Sequence, residues 1–317
     1  MEFTSDHTKI TALKDNMERV IIGKSDTITL ILTALLAKGH VLLEDTPGTG
    51  KTMLAKALAA SIDGSYRRVQ FTPDLLPSDV TGLNIFNQKK QEFEFMPGPI
   101  FANILLADEI NRATPRTQSC LLEAMAEGQV TTDGTTRKLQ EPFFLIATEN
   151  PIETTGTFPL PEAQLDRFAL RLSLGLPSQE EELAILNRFL TENPLDTLAP
   201  VCTLSDITAA QQNVTQIFIH EDVKKYIVSL VHATRSHEQL SLGATPRGTL
   251  MLMRLSQAYA YLNGRSYVMP EDVKYLAVPC FSHRILTFGG AQASGLALSV
   301  MEEIISSVPV PTENFTG

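Results

Sequence analysis

A parallel β-sheet covered by helices on both faces, followed by a small all-helical domain, is the fold class this sequence predicts. Three observations predict it. Short runs that are apolar at nearly every residue alternate with helical patterns through the first half of the chain. A glycine-rich turn joins the first of these runs to its helix. After Pro177 only helical patterns remain, with Pro246 and Pro270 standing where helix starts favour proline.

The elements follow in order. His40 to Leu43 reads as the first buried strand, and Gly50 to Ile62 then puts Leu54, Ala57, Leu58 and Ser61 on one helical face. Arg68–Phe71, Ile104–Ala107, Phe143–Ala147 and Leu170–Leu174 read as the second to fifth strands. Thr114-Pro115 fits an N-cap followed by the first helical position, and Gly128 fits the residue just past that helix. Asp133-Gly134, between two polar Thr-rich segments, reads as a hairpin turn because both residues accept positive φ at low cost. Helices are expected over Ser178–Leu190, Leu204–Ile217, Asp222–Arg235, Pro246–Leu262, Pro270–His283 and Ser294–Ser306, with no strand among them. The α/β domain is expected over 1–176 and the helical domain over 177–317, joined near Leu176–Gln179.

Composition narrows the function. The 317 residues suit about two domains. A net charge of −10 repels nucleic-acid phosphate. The basic pairs Arg67-Arg68, Lys89-Lys90 and Arg137-Lys138 read as solvated strand or turn ends, so no nucleic-acid partner is expected. The apolar stretch Ile28–Ala37 is about half of what a bilayer span requires, so no membrane insertion is expected. The first residues show no apolar leader, and Cys120, Cys202 and Cys280 are scattered and odd in number. A cytoplasmic chain with reduced thiols is therefore expected.

The sharpest chemical signal is Glu44-Asp45-Thr46-Pro47-Gly48-Thr49-Gly50-Lys51-Thr52, between the first strand and its helix. Glycines let such a loop turn its N–H groups inward, and the helix start adds partial positive charge. Lys51 can reach the β- and γ-phosphates of a nucleotide, and Thr52 can offer its hydroxyl to Mg2+. The strict G-x-x-x-x-G-K-[ST] pattern is not met, because Asp45 stands where its first glycine would be. Asp108-Glu109 ends the third strand, on the carboxyl side of the sheet where ligands bind. Asp108 can orient Mg2+ or its water, and Glu109 can polarise an attacking water. Alone, such a pair would more commonly cap the next helix; beside Lys51-Thr52 the catalytic reading prevails. Asn150, ending the fourth strand before Pro151, can hold that water or serve as a plain turn residue. Arg167 and Arg247 sit at helix boundaries near the domain junction, where a planar guanidinium suits charge building on phosphate.

With these residues in hand, nearly the whole chain resembles an AAA+ ATPase, and more narrowly a member of the MoxR family. The resemblance rests on the phosphate loop, Phe71 to Gly82, Gly98-Pro99-Ile100-Phe101, Asp108 to Ala113, Glu123-Ala124-Met125, Glu127 to Val130, Leu160 to Phe168 and Pro246-Arg247. It implies a P-loop AAA+ domain with a five-stranded parallel sheet in the order 5-1-4-3-2, followed by a helical lid. It also implies an insert at about 72–97 and a hairpin at about 128–141. It gives Asn150 the sensor 1 role, Arg167 the role of an arginine finger acting on a neighbouring subunit, and Arg247 the sensor 2 role in cis or in trans. The segment Val20-Ile21-Ile22-Gly23 resembles the part that covers adenine, and equally suits helix-end core. ATP and Mg2+ are the implied cofactors. The implied partners are further copies of the chain, as a hexameric ring, and a separate von Willebrand factor A-type protein. Phe86, Phe93, Phe95 and Met96 in the insert suggest a partner contact, although alternation favours burying Phe93 and Phe95 within their own hairpin. The implied activity is ATP hydrolysis driving chaperone-like remodelling or metal insertion. A slow ATP-gated scaffold and a nucleic-acid motor are the competing readings.

Overall fold

The computed structural model describes residues 5–151, 156–190, 193–288 and 294–311. Residues 1–4, part of the segment in which no apolar leader is expected, lie outside the described residues. In chain order the elements are α1 (Ser5–Glu18), α2 (Ser25–Leu36), β1 (Val41–Glu44), α3 (Lys51–Ser61), β2 (Tyr66–Gln70), α4 (Pro77–Thr81), β3 (Gly82–Asn87), β4 (Glu92–Pro97), β5 (Ile104–Asp108), α5 (Pro115–Glu127), β6 (Gln129–Thr132), β7 (Thr135–Lys138), β8 (Phe144–Glu149), α6 (Glu162–Leu165) and β9 (Leu170–Leu172). The C-terminal part adds α7 (Gln179–Phe189), α8 (Leu204–Val214), α9 (Glu221–Ser236), β10 (Leu240–Leu242), α10 (Pro246–Leu262), α11 (Pro270–Phe281), β11 (Leu286–Thr287) and α12 (Ser294–Ser307).

The central sheet has five parallel strands in the order β2-β5-β8-β1-β9. Counting only these strands, that is 5-1-4-3-2, as expected. Their uniform apolarity has a simple cause. Val41, Leu43, Ile104, Leu106, Phe144, Ile146, Leu170 and Leu172 point into one buried cluster. Leu42, Leu105, Ala107, Leu145 and Ala147 point into a second, on the opposite face with α5. Alternate residues face opposite sides of a strand, so a sheet buried on both sides needs apolar residues at every position. His40, just before β1, is buried, and its pKa is pushed down to about 4 by that burial. The neutral ring accepts the Leu145 N–H at Nδ1 and donates from Nε2 to the Met125 carbonyl.

The local predictions about α5 and its hairpin hold. Thr114 precedes Pro115 at the start of α5, and Gly128 closes the helix at φ 64°. Asp133 and Gly134, at φ 50° and 74°, join the paired ends Thr132 and Thr135. Two features differ from the sequence reading, the β10–β11 pair and the exposure of Phe93. β10 and β11 form a short antiparallel pair within the helical part, where no strand was expected. The stretch Ile28–Ala37 lies within α2 and its end and is nearly all buried; no helix among the described residues is long and apolar enough to cross a membrane. Phe93 is 71% exposed, so burial in its own hairpin is overturned for it, whereas Phe95 is half-buried against Phe101 with the Arg137 guanidinium over its ring. Strand pairing puts Phe93 opposite Phe86 at the outer end of the hairpin, beyond the reach of the sheet.

The helical part does not rest on a core of its own. Ile207, Leu252, Leu255 and Leu276 belong to the same buried cluster as α1, α2 and one face of the sheet. One polar junction fastens the two parts. The fully buried Arg284 donates from Nε to Asp166 Oδ1 at 2.9 Å and from Nη1 to the Ala169 carbonyl, with further donations to the Phe168 and Cys280 carbonyls. Thr245 Oγ1 donates to Asp166 Oδ2 at 2.9 Å. Removing one partner of a buried ion pair leaves the other charge without compensation and costs about 3–5 kcal/mol. Arg284→Met is therefore expected to lower the denaturant unfolding free energy by about 3 kcal/mol or more, and Arg284→Met with Asp166→Asn by less. An unchanged unfolding midpoint in the single variant would show that the junction contributes nothing.

Candidate nucleotide site

The parallel register sets where the predicted residues fall. Glu44 is aligned with Glu149, and Gln70 with Asp108, so the ends of β1, β8, β5 and β2 form one row along the carboxyl edge of the sheet. Lys51, Thr52, Asp108, Glu109 and Asn150 all lie along this edge, at or just beyond the strand ends. Adjacent strands are about 4.8 Å apart, so β1 and β5, with β8 between them, hold their ends about 10 Å apart.

Gly48 and Gly50 have φ of 90° and 94°, a region that side-chain-bearing residues avoid, and a Cβ at either would meet open space. Gly50 leads directly into α3, whose first turn has no side-chain cap and no acid. Its N–H groups are thus unclaimed by side chains, the arrangement that favours an anion. Lys51 is buried and donates to the Asp45 carbonyl at 2.8 Å, and Thr49 Oγ1 donates to the Thr46 carbonyl. Asp45, the departure from the strict loop pattern, now has a physical role. Its carboxylate accepts from Ser173 Oγ at 2.7 Å, Leu174 N at 2.8 Å and Gly175 N at 2.9 Å. That side chain bolts the root of the loop to the chain leaving β9. Only its carbonyl faces Lys51.

The acid pair is tightly held. Asp108 Oδ1 accepts from Thr148 Oγ1 at 2.7 Å, and Oδ2 accepts from Arg68 Nη2 at 2.5 Å and Nε at 3.1 Å. Glu109 Oε2 accepts from Gln70 Nε2 at 2.8 Å and Arg112 Nη1 at 3.1 Å. The Glu109 backbone is left-handed at φ 55°, which costs a residue with a side chain about 1–2 kcal/mol. Its N–H donates to Thr148 Oγ1 at 2.9 Å, which helps to hold that conformation. The donor set fits a divalent hard cation, since a carboxylate and a hydroxyl, Asp108 and Thr52, share the edge beside an open cradle.

Asn150 is buried at the end of β8. Its neighbour Glu149 has a pKa raised to about 7, first by burial and then by the Glu44 carboxylate, with Arg171 opposing. Arg171 Nε lies 3.4 Å from Glu44 Oε2. The segment Ile21-Ile22-Gly23 is brought toward the loop indirectly. Lys24 Nζ donates to the Leu176 carbonyl and pairs with Glu181, just beyond the residues that hold Asp45. Ile21 packs on the core, which suits the helix-end reading of that residue.

The arginines lie elsewhere. Ala169 N bonds the His40 carbonyl, so Asp166 and Arg167 sit at the amino edge of the sheet, ahead of β9 and β1. Arg167 Nη1 donates to the Leu122 carbonyl at 2.7 Å, while its Nε is buried without a hydrogen-bond partner. Arg247 is half-exposed and 3.8 Å from Asp166. A strand of four or five residues spans about 13–17 Å, so one chain does not bring Arg167 and Arg247 to its own phosphate loop. Sequence reading missed Thr148, Arg68, Gln70, Arg112, Asp166 and Arg284. The alternation of Arg68-Val69-Gln70, with Val69 buried, was the available signal that two polar side chains share one face.

A nucleotide-binding fold with this loop and acid pair defines an AAA ATPase. Residues 40–170 match the profile of the ATPase family associated with various cellular activities (AAA), and residues 232–306 that of the AAA lid domain. The chain is 52% identical over 300 residues to YeaC of Bacillus subtilis, covering 94% of each. It is 38% identical to Chaperone MoxR1 of Mycobacterium tuberculosis, over 94% of this chain and 81% of that one. Protein MoxR of Paracoccus denitrificans is 30% identical over 96% of this chain and 97% of its own length. A crystal structure from Cytophaga hutchinsonii, of a protein assigned as an ATPase, superposes with a TM-score of 0.90 at 38% identity, covering 97% of this chain and 96% of that one. The chain belongs to the MoxR family of AAA+ ATPases.

The raised pKa of Glu149 has a measurable consequence. Between its ordinary 4.5 and about 7, the folded protein keeps a proton that the unfolded chain has released. Stability contributed by this group therefore falls as pH rises through that window. Glu149→Gln is expected to flatten the fall and to stabilise the protein above pH 7, as read from unfolding midpoints across pH. A parallel pH profile for the variant would refute the assignment.

Proposed function

We propose that the protein hydrolyses ATP with Mg2+ at sites shared between copies of the chain, and uses the cycle to remodel a partner protein. The observation that carries this reading is the division of the site. The loop, Lys51, Asp108, Glu109 and Asn150 lie along the carboxyl edge of the sheet, while Arg167 and Arg247 gather around Asp166 at the amino edge. A second copy, presenting its amino edge to the first copy's carboxyl edge, completes one site. Repetition of such a head-to-tail contact closes a ring, and a hexamer is the size we propose.

In this reading the loop N–H groups and Lys51 hold the β- and γ-phosphates, and Ile21, Ile22 and Gly23 flank the base. Thr52 and Asp108 hold Mg2+, which neutralises phosphate charge when bound. Glu109 takes a proton from the attacking water, and Asn150 positions that water. Arg167 and Arg247 of the neighbouring copy stabilise the charge that develops on the γ-phosphate. The family likeness to a protein named as a chaperone supports a remodelling role; the partner we propose is a von Willebrand factor A-type protein, and the work done on it is remodelling or metal insertion. The exposed Phe86 and Phe93 on one face of the β3–β4 ribbon, and Leu83 and Met96 on the other, supply apolar surface for such a contact.

Three variants test the assignment. Lys51→Ala is expected to lose triphosphate binding, and unchanged affinity by calorimetry would remove the loop from the site. Glu109→Gln should bind ATP and lose about 10²–10⁴-fold in phosphate release; equal rates would leave only the scaffold reading. Arg167→Ala should bind ATP yet hydrolyse at least about 10³-fold more slowly. Mixing it with Glu109→Gln restores interfaces that carry both an intact Glu109 and an intact Arg167, so activity should partly return. No recovery at any ratio would place the whole site within one chain.

A further inference from the structure

Asp108 is mostly buried, and both of its oxygens already have partners in the protein. Thr148 fills one, and the Arg68 guanidinium grips the other with two donors. Arg68 reaches it from the edge strand β2, two residues before Gln70, whose register partner is Asp108 itself. Unlike Arg284, Arg68 is about half-exposed at 46%, so it can leave Asp108 for water without stranding a buried charge on its own side. The same guanidinium donates from Nη2 to Gln70 Oε1 at 2.7 Å, and Gln70 Nε2 donates to Glu109. The Glu109 N–H returns through Thr148 to Asp108. The result is a closed hydrogen-bonded circuit through both acids, with one cationic member.

We infer that Arg68 is a built-in counter-cation for Asp108, which competes with Mg2+ for the carboxylate. The inference rests on the proposed role of Asp108 as the metal-side acid. Two cations cannot use the same oxygen lone pairs at contact distance, so metal contact at Oδ2 requires Arg68 to withdraw.

The test is calorimetric binding of a non-hydrolysable ATP analogue at stepped Mg2+ concentrations, with wild type, Arg68→Ala and Arg67→Ala. Arg67 is exposed next to Arg68, on the opposite side of the strand, and controls for loss of charge at this edge. In Arg68→Ala the Mg2+ concentration that gives half of the metal-dependent gain in affinity should fall about three- to fivefold, the upper part of the scale for one partly exposed ion pair. Arg67→Ala should leave it within about twofold of wild type. Arg68→Lys, which keeps the charge but loses the paired donors, should fall between wild type and Arg68→Ala. An unchanged or higher Mg2+ requirement in Arg68→Ala, with analogue binding intact, overturns the inference and leaves the nucleotide site standing. Absence of analogue binding in wild type at any Mg2+ concentration would remove the proposed site and this inference with it.

Discussion

The register of parallel strands is the constraint on which the site depends. In a parallel sheet every strand ends on the same side, and a shift of one residue would turn each side chain to the other face. The in-phase alternation of β1, β5 and β8 between two buried clusters fixes that register from both sides. Once it is fixed, Glu44, Glu149 and Asp108 fall into a row without further instruction. The phosphate loop and the acids therefore come together because of apolar residues that never touch a ligand. The same constraint keeps Arg167 and Arg247 around Asp166 at the far edge of the sheet.

Two aspartates, Asp45 buried and Asp166 largely buried, then connect the edges to the rest of the molecule by different chemistry. Asp45 is satisfied by a hydroxyl and two backbone N–H groups, all from residues just after β9. Three donors satisfy the oxygens of this carboxylate without a buried cation. Asp166 instead meets the buried Arg284, a pair that confers net stability only when every donor is placed. The Arg284 guanidinium meets this condition by donating to backbone carbonyls on both sides of the junction. The first bolt secures the loop to the strand beside it. The second fastens the helical part to the segment carrying Arg167.

What the sequence made legible follows from the range of the interactions involved. Uniformly apolar strands, the proline-started helices, the Asp133-Gly134 turn and the glycine-lysine loop are local patterns, and the structure contains them within a few residues of their expected bounds. The strand order came from family resemblance, since no local pattern encodes it. The Arg68–Asp108 and Gln70–Glu109 contacts cross between strands about 40 residues apart, and depend on a register that one sequence does not display. Arg68 therefore read as a solvated strand end. The β10–β11 pair is too short for periodicity to detect, at three and two residues. Arg284 sits just past α11, where a helix-end arginine ordinarily reaches water. Only the packing of that helix against Phe168 and Ala169 turns it inward.

The β3–β4 hairpin shows how an exposed apolar surface is kept in one place. A two-stranded ribbon is marginal alone, and this one has an aromatic pair in water at its outer end. Its base is fixed instead. Phe95 packs edge-on to Phe101 and lies under the Arg137 guanidinium at 3.8 Å, and Asn84 donates to Asp133 in the neighbouring hairpin at 2.7 Å. These contacts tie the ribbon to β6 and β7, whose chain runs directly on into β8 and Asn150. Leaving Phe93 unpacked forgoes the roughly 1.5–3 kcal/mol that burial of a large side chain contributes. Phe95, two residues away on the same face, is anchored, so the exposure of Phe93 is a local property of the tip rather than a loosely packed ribbon. A fixed base with an apolar tip can present a partner with a defined surface. Its non-covalent attachment to the β6–β7 hairpin joins that surface to the segment that leads on to β8 and Asn150.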